Sequence, residues 1–238
     1  MEIKNGKVLF SSLLKGKLVK RYKRFLADIE LDSGESVTAH CANSGSMKGC
    51  ILEGAEVYLS PQNKPERKLK YTWELIKMPD SLVGVNTSIP NKLVKSAIES
   101  GKIKEFEKYS KVISEVKTSD NTRLDLMLLD EFDDKCYVEI KNCTLVENGK
   151  AMFPDAVTTR GQKHLNELMD LKAKGFDAAV FFLIQRMDAE CFSPADHIDP
   201  QYGKLLRAAL EKGVDVIAYD TVLTEKSIEI NKGIELCL

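Results

Sequence analysis

The stretches RLDLMLL (123–129) and CYVEIKN (136–142), joined by the polar segment DEFDDK (130–135), decide the fold of this chain. Both alternate at a period of two, as half-buried strands do. A hairpin symmetric about Phe132 sets Asp125 directly opposite Glu139, with Cβ atoms ~5 Å apart. Lys141, two residues beyond Glu139, projects from the same face. Leu124, Leu126, Leu128, Val138 and Ile140 make the opposite, apolar face. Two carboxylates and an ammonium are gathered by register alone.

Such a trio can hold a hard divalent cation, Mg²⁺ or Mn²⁺, through its carboxylate oxygens. The ion would polarise a phosphoryl oxygen and activate water, with Lys141 stabilising the developing charge. The bland alternative is a cross-strand salt bridge on a wet sheet face. A helix is predicted from Thr159 to about Lys174, with Gly175 ending it. Its inner face, defined by Leu165, Leu168, Met169 and Lys172, turns Gln162 toward the sheet and His164 toward solvent. Gln162 is therefore a candidate to orient the metal-bound water. Glu99, on a helix predicted over 91–101 with Asn91 as its cap, is a candidate extra ligand.

Working outward, residues 91–238 read as α-β-β-β-α-β-α-β, a mixed sheet flanked by helices. DAAVFFLIQ (177–185) is a continuous apolar strand of the kind buried on both faces. The first 80 or so residues read differently. FLADIEL (25–31), SVTAHC (36–41), AEVYL (55–59) and KLKYTWEL (68–75) alternate between turns, and no helix intervenes, which suggests a small closed barrel. A three-residue loop, Ser33-Gly34-Glu35, would pair Leu31 with Val37 and Ile29 with Ala39. Tyr71 and Trp73 fall on the apolar face and are assigned to the barrel core. The expected domains are 1–82 and 83–238.

The chain has 238 residues, 43% hydrophobic and 30% charged, which excludes disorder, collagen and coiled coil. No apolar run approaches the ~20 residues of a membrane helix. The six cysteines show no zinc spacing and read as reduced thiols of a cytoplasmic protein. Net charge is −1, but the cations cluster. KGKLVKRYKR (15–24) carries Lys15, Lys17, Lys20, Arg21, Lys23 and Arg24 with no acid. KPERKLK (64–70) adds Lys64, Arg67, Lys68 and Lys70 around one acid. These form a candidate surface for a polyanion. HCANSGSMKG (40–49) offers no working Cys–His pair, because adjacent strand residues face opposite ways. It reads as a strand end and a tight loop whose N–H groups could meet an anion.

With HCANSGSMKG, NKPERKLKYTWEL, VGVNTSIPN, RLDLML, CYVEIKN, AMFPDAVTTRGQKHLNEL and IDPQYGKLLRAA on the page, the chain resembles the sugar fermentation stimulation protein A family nearly end to end. The resemblance implies an N-terminal OB-fold barrel suited to DNA and a C-terminal α/β domain like the PD-(D/E)xK nucleases. It makes Asp125 the motif's aspartate and Glu139-Ile140-Lys141 its ExK, with Leu124 where a proline often stands. It implies a Mg²⁺-dependent DNA phosphodiesterase. The alternative is a DNA-binding regulator of carbohydrate use without turnover.

Overall fold

The computed structural model describes residues 1–62, 66–120 and 122–238. It opens with a hairpin, β1 (Glu2–Lys4) and β2 (Lys7–Leu9), turned by Asn5 and Gly6, both at positive φ. An Asn-Gly pair suits that two-residue turn. Five strands follow: β3 (Leu14–Tyr22), β4 (Leu26–Leu31), β5 (Ser36–His40), β6 (Glu56–Pro61) and β7 (Tyr71–Lys77). They pair in the order β5-β4-β3-β6-β7, and a parallel bridge from His40 to Thr72 closes the ring. This is the OB barrel. Its interior is built by inward alternate residues, among them Leu18, Ile29, Leu59 and Trp73, all fully buried. The indole N–H of Trp73 donates to the Leu75 carbonyl at 2.9 Å, so the one polar atom of the ring is satisfied. β8 (Leu82–Gly84) extends the sheet beyond β7.

The second domain runs through α1 (Pro90–Glu99), β9 (Lys111–Ser119), β10 (Thr122–Leu129), β11 (Lys135–Cys143), β12 (Leu145–Glu147), β13 (Lys150–Phe153), α2 (Thr159–Ala173), β14 (Asp177–Ile184), β15 (Cys191–Pro194), α3 (Pro200–Glu211), β16 (Asp215–Leu223), β17 (Ser227–Gly233) and β18 (Glu235–Leu236). The main sheet has the order β1-β2-β17-β16-β14-β11-β10-β9, with β11, β14 and β16 parallel at its centre. β12, β13, β15 and β18 form a small second sheet. The apolar core under α1 includes Leu93, Val94, Leu126, Val138 and Phe181. A second core lies on the other face, where Leu165, Leu168 and Leu206 of α2 and α3 cover Val180 and Phe182. Burial on both faces is why β14 is apolar at every inner position. The Thr158 side chain caps α2 by accepting from the Gly161 N–H at 3.0 Å, and Gly175 at φ +89° follows its end.

Five expectations change here. Residues 1–9 do not belong to the barrel: β2 pairs antiparallel with β17 and widens the second domain's sheet. In the β4–β5 hairpin, Ile29 pairs with Val37 and Ala27 with Ala39, two residues from the expected register. The loop is Asp32-Ser33-Gly34, and Gly34 occupies its third position at φ +87°, where a three-residue loop needs a left-handed residue. Leu124 does not share a face with Leu126: it packs in the core under α2, whereas Leu126 and Leu128 pack under α1. The alternation slips at Asp125, where Glu115 of the facing strand stands at φ +57° and leaves the ladder. Cys191 and Cys237 are joined by a disulfide that ties β15 to the C-terminal segment, while Cys41, Cys50, Cys136 and Cys143 are free and buried. Finally, Asn91 is not the cap of α1, whose N-cap position is Ile89.

Candidate metal and phosphate site

The β10–β11 hairpin pairs Leu126 with Val138 and Leu128 with Cys136, so the register centred on Phe132 holds. The ladder ends at Leu126 and Val138, and Asp125, just beyond it, lies close enough to feel the charge of Glu139. Asp125 accepts from the Ile140 N–H at 2.8 Å and from the Asn91 side-chain amide at 2.7 Å. Asn91 thus serves the site rather than its own helix. Glu139 is only 4% exposed. Its Oε1 accepts from Lys141 Nζ at 2.6 Å and meets His164 Nδ1, and Lys141 Nζ lies 3.3 Å from the same ring nitrogen. Its Oε2 is buried with no hydrogen-bond partner among the described residues.

The two carboxyls respond oppositely to similar surroundings. Burial, then the charge of Glu139, push Asp125 up to about 6. Burial would raise Glu139 too, but the His164 hydrogen bond and the Lys141 charge outweigh it and hold that carboxyl below its usual range. A carboxylate kept ionised beside one that resists ionisation is an arrangement short of positive charge. A cation between them would satisfy the orphaned Oε2 and relieve Asp125, so the donor set fits a hard divalent ion. Among the described residues no group of three His, Cys, Asp or Glu side chains gathers around one point, so other ligands would come from backbone, water or substrate.

The remaining expected site residues are scattered. Gln162 turns away from this cluster and donates to both carboxylate oxygens of Asp199, the cap of α3, at 3.0 Å. His164, expected in solvent, is 5% exposed and joins the carboxylate instead. The helix wheel misplaced it because the inner face was centred on Leu165, Leu168, Met169 and Lys172; α2 packs on both the sheet and α3, so its buried arc extends to Gly161, His164 and Leu171. Glu99 sits at the far end of α1 from Asn91, exposed and 3.8 Å from Lys95, too distant to join Asp125.

The first basic cluster is partly engaged. Lys15 pairs with Glu225 at 2.7 Å and Lys20 with Asp28 at 3.7 Å. Arg21 braces the HCANSGS loop, its Nη2 donating to the Asn43 and Gly45 carbonyls at 2.9 Å. Lys17 is exposed, and Lys23 and Arg24 form the exposed tip of the β3–β4 turn. Of the second cluster, Lys64 lies outside the described residues; Arg67 is half-buried, and Lys68 and Lys70 are exposed. The loop N–H expected to meet an anion does so internally: Asp155 accepts from Met47 N and Ser46 Oγ at 2.9 Å. That contact fastens the barrel to the second domain beside a cleft of about 360 Å³ onto which Lys141, Asn43 and Thr87 open.

Comparison with known proteins agrees with this organisation. The N-terminal OB domain of SfsA matches residues 19–85, and the sugar fermentation stimulation protein RE domain matches residues 88–227. A sugar fermentation stimulation protein homolog of Geotalea uraniireducens is 54% identical over 90% of this chain and 92% of its own. A homolog from Shewanella is 45% identical over 93% and 96%. Among solved structures, that of Pyrococcus furiosus SfsA in complex with Ca²⁺ superposes with a TM-score of 0.89 over the whole of both chains at 24% identity, a likeness of fold. No helix among the described residues is long and apolar enough to cross a membrane.

Proposed function

The chain belongs to the sugar fermentation stimulation protein family, and from that premise we propose that it is a DNA-binding protein whose second domain hydrolyses phosphodiester bonds with the help of Mg²⁺ or Mn²⁺. The observation that carries this reading is the buried, unpartnered Oε2 of Glu139 beside a carboxyl pushed up to about 6. Structural carboxylates this deep normally have both oxygens satisfied. Asp125 and Glu139 would hold the ion, which when bound supplies Lewis acidity and an acidified water. The Pyrococcus relative, solved with Ca²⁺, carries an ion of that class.

The chain's own residues do the rest. Asn91 and the Ile140 amide fix the Asp125 carboxylate, so the ion would meet a rotamer already set. His164 anchors Glu139 from α2, through a contact whose proton position depends on the ring's tautomer. Lys141, one tenth exposed and opening on the cleft, supplies a fixed positive charge where charge develops on phosphorus.

A second reading rests on one observation: Lys141 pairs with Glu139 and the His164 ring meets the same oxygen, so the cluster is an internally paired unit as it stands. On that reading the protein binds DNA as a regulator of carbohydrate use, with no turnover. The discriminating assay incubates linear, nicked, branched and single-stranded DNA with wild type, Asp125→Asn and Lys141→Ala, in Mg²⁺, Mn²⁺ or Ca²⁺. Cleavage by wild type in Mg²⁺ or Mn²⁺, lost in both variants, supports the enzyme. Binding without cutting under every condition leaves the regulator.

A further inference from the structure

On the α2 side of the sheet, an open groove of about 820 Å³ runs beside the candidate site, and none of its lining residues is among the site candidates expected from sequence. Lys117 and Arg123 line it from β9 and β10, Arg160 and Lys163 from the first turns of α2. His164 is at once a lining residue of the groove and a partner of Glu139. Four cations face one acid, Asp120. Asp120 and Glu115 pair with Lys117 and Arg123 at 3.1 and 3.2 Å. All four side chains are mostly exposed, and exposed pairs of this kind hold their partners weakly against a phosphate.

Two further features point to an anion. Thr122 is 4% exposed and lines the groove, yet its Oγ1 is buried without a hydrogen-bond partner among the described residues. A hydroxyl of that kind lacks an acceptor that a phosphate oxygen would provide. Thr159 and Arg160 begin α2, where an α-helix leaves its first N–H groups without intrahelical partners and carries partial positive charge. Cations, a hydroxyl without a partner among the described residues and a helix start line the same groove. Among the described residues none of the side chains lining the groove is aromatic, so no ring there stacks on a base.

We propose that this groove binds the sugar–phosphate backbone of the nucleic-acid strand that enters the candidate site, with Arg160 and Lys163 contacting phosphates and Thr122 donating to one phosphate oxygen. The inference rests on the phosphodiesterase reading for its substrate class. It moves the strand from the barrel's basic segment to the mouth of the site. Its size, several times that of a single phosphate, and its open form suit a chain of phosphodiesters rather than a free anion. Recognition is independent of sequence, since phosphate contacts carry no base information.

The test is fluorescence anisotropy with a labelled single-stranded oligonucleotide and a duplex of matched length, in Ca²⁺, across a salt series. Arg160→Gln/Lys163→Gln removes two exposed charges, so the log–log salt slope is expected to flatten by about 1.8 on duplex and about 1.4 on single strands. Affinity at low salt should fall roughly tenfold or more for every sequence alike. Thr122→Val, nearly isosteric, should weaken binding several-fold with the slope unchanged, an effect that loss of charge does not mimic. Inorganic phosphate should compete only weakly; competition as strong as that of an oligonucleotide of equal phosphate content would overturn the backbone assignment in favour of a free-anion site. An unchanged slope in the double variant overturns the proposal outright. Cleavage with an unchanged slope sinks the groove and spares the phosphodiesterase. A lost slope without any wild-type cleavage does the reverse.

Discussion

Two glutamates, one in the barrel and one in the sheet, are buried almost equally and are treated in opposite ways. Glu74 of β7 is 2% exposed, and each oxygen has a neutral donor: Ser60 Oγ at 2.5 Å and the Asn86 amide at 2.7 Å. Burial raises its pKa, and those hydrogen bonds only partly offset the rise. Glu139 is 4% exposed, carries two basic partners on one oxygen and none on the other, and its pKa is lowered. Through Asn86, which also accepts from Ser88 at the start of the helical domain, Glu74 fastens the barrel to α1. Burial alone therefore marks neither residue as functional. What separates them is an ionised group held with a vacant acceptor, which a structure has no packing reason to keep.

The comparison breaks most visibly in turnover. Glu139→Gln should lower DNA cleavage in saturating Mg²⁺ by roughly a thousandfold or more, because it removes charge from the ion's seat. Glu74→Gln, a similar change in a similarly buried place, should leave kcat within a few-fold. Single-turnover rates on one oligonucleotide, with folding checked by circular dichroism, settle both. Comparable losses in the two variants would mean that the barrel joint, and not the carboxylate's vacancy, controls activity.

Stability sharpens it next. His164→Ala withdraws a partner from a buried carboxylate, and breaking such a pair costs up to ~3 kcal/mol. Urea denaturation of the metal-free protein measures the loss. His164→Asn, which keeps a polar group near Glu139, should recover part of it. A His164→Ala protein as stable as wild type would show that Lys141 alone holds Glu139.

Asp125→Asn runs the other way. The carboxyl pushed up to about 6 is disfavoured in its charged form by burial and by Glu139. Its neutral isostere should raise metal-free stability at pH 8 by ~1–2 kcal/mol. Adding Mn²⁺ should stabilise wild type by mass action and the variant much less. A variant weaker than wild type without metal would contradict the repulsion argued here.

Much of this was legible from residue order. The Phe132-centred turn and the period of β11 placed Glu139 and Lys141 together, because a two-residue period leaves no freedom once the register is set; Asp125 lies near them although the alternation of β10 slips at that residue. The barrel's alternation placed Trp73 and Tyr71 inward for the same reason. His164 was hidden because a polar residue on a helix contributes nothing to an apolar stripe, and only the second neighbour, α3, widens the buried arc. Asn91 was hidden because a residue near a helix start suits a cap as well as a contact across space. The β1–β2 hairpin is three residues on each side, too short for a period to appear, and its partner β17 lies over 200 residues away in sequence. The groove by α2 draws Lys117, Arg123, Arg160 and Lys163 from two distant segments, so no run of charge announces it.

The smallest effect is the one Glu74 should have on pH dependence. Its folded pKa lies above the unfolded value, so between those two values the folded protein binds more protons than the unfolded chain. Wild-type stability should therefore decline as pH rises through that window, starting near the ordinary glutamate pKa, and level off above the folded value. Glu74→Gln, which cannot ionise, should lack this decline while keeping an acceptor for Ser60 or Asn86. The quantity to follow is the difference in unfolding free energy between the two proteins, by urea titration at closely spaced pH from 4 to 8. That subtraction cancels the other titrating groups as long as the substitution leaves them undisturbed. The difference should move in favour of the glutamine variant as pH rises. A difference that moves the opposite way would mean that Glu74 is stabilised as an anion, and the contrast with Glu139 would then rest on the vacant oxygen alone.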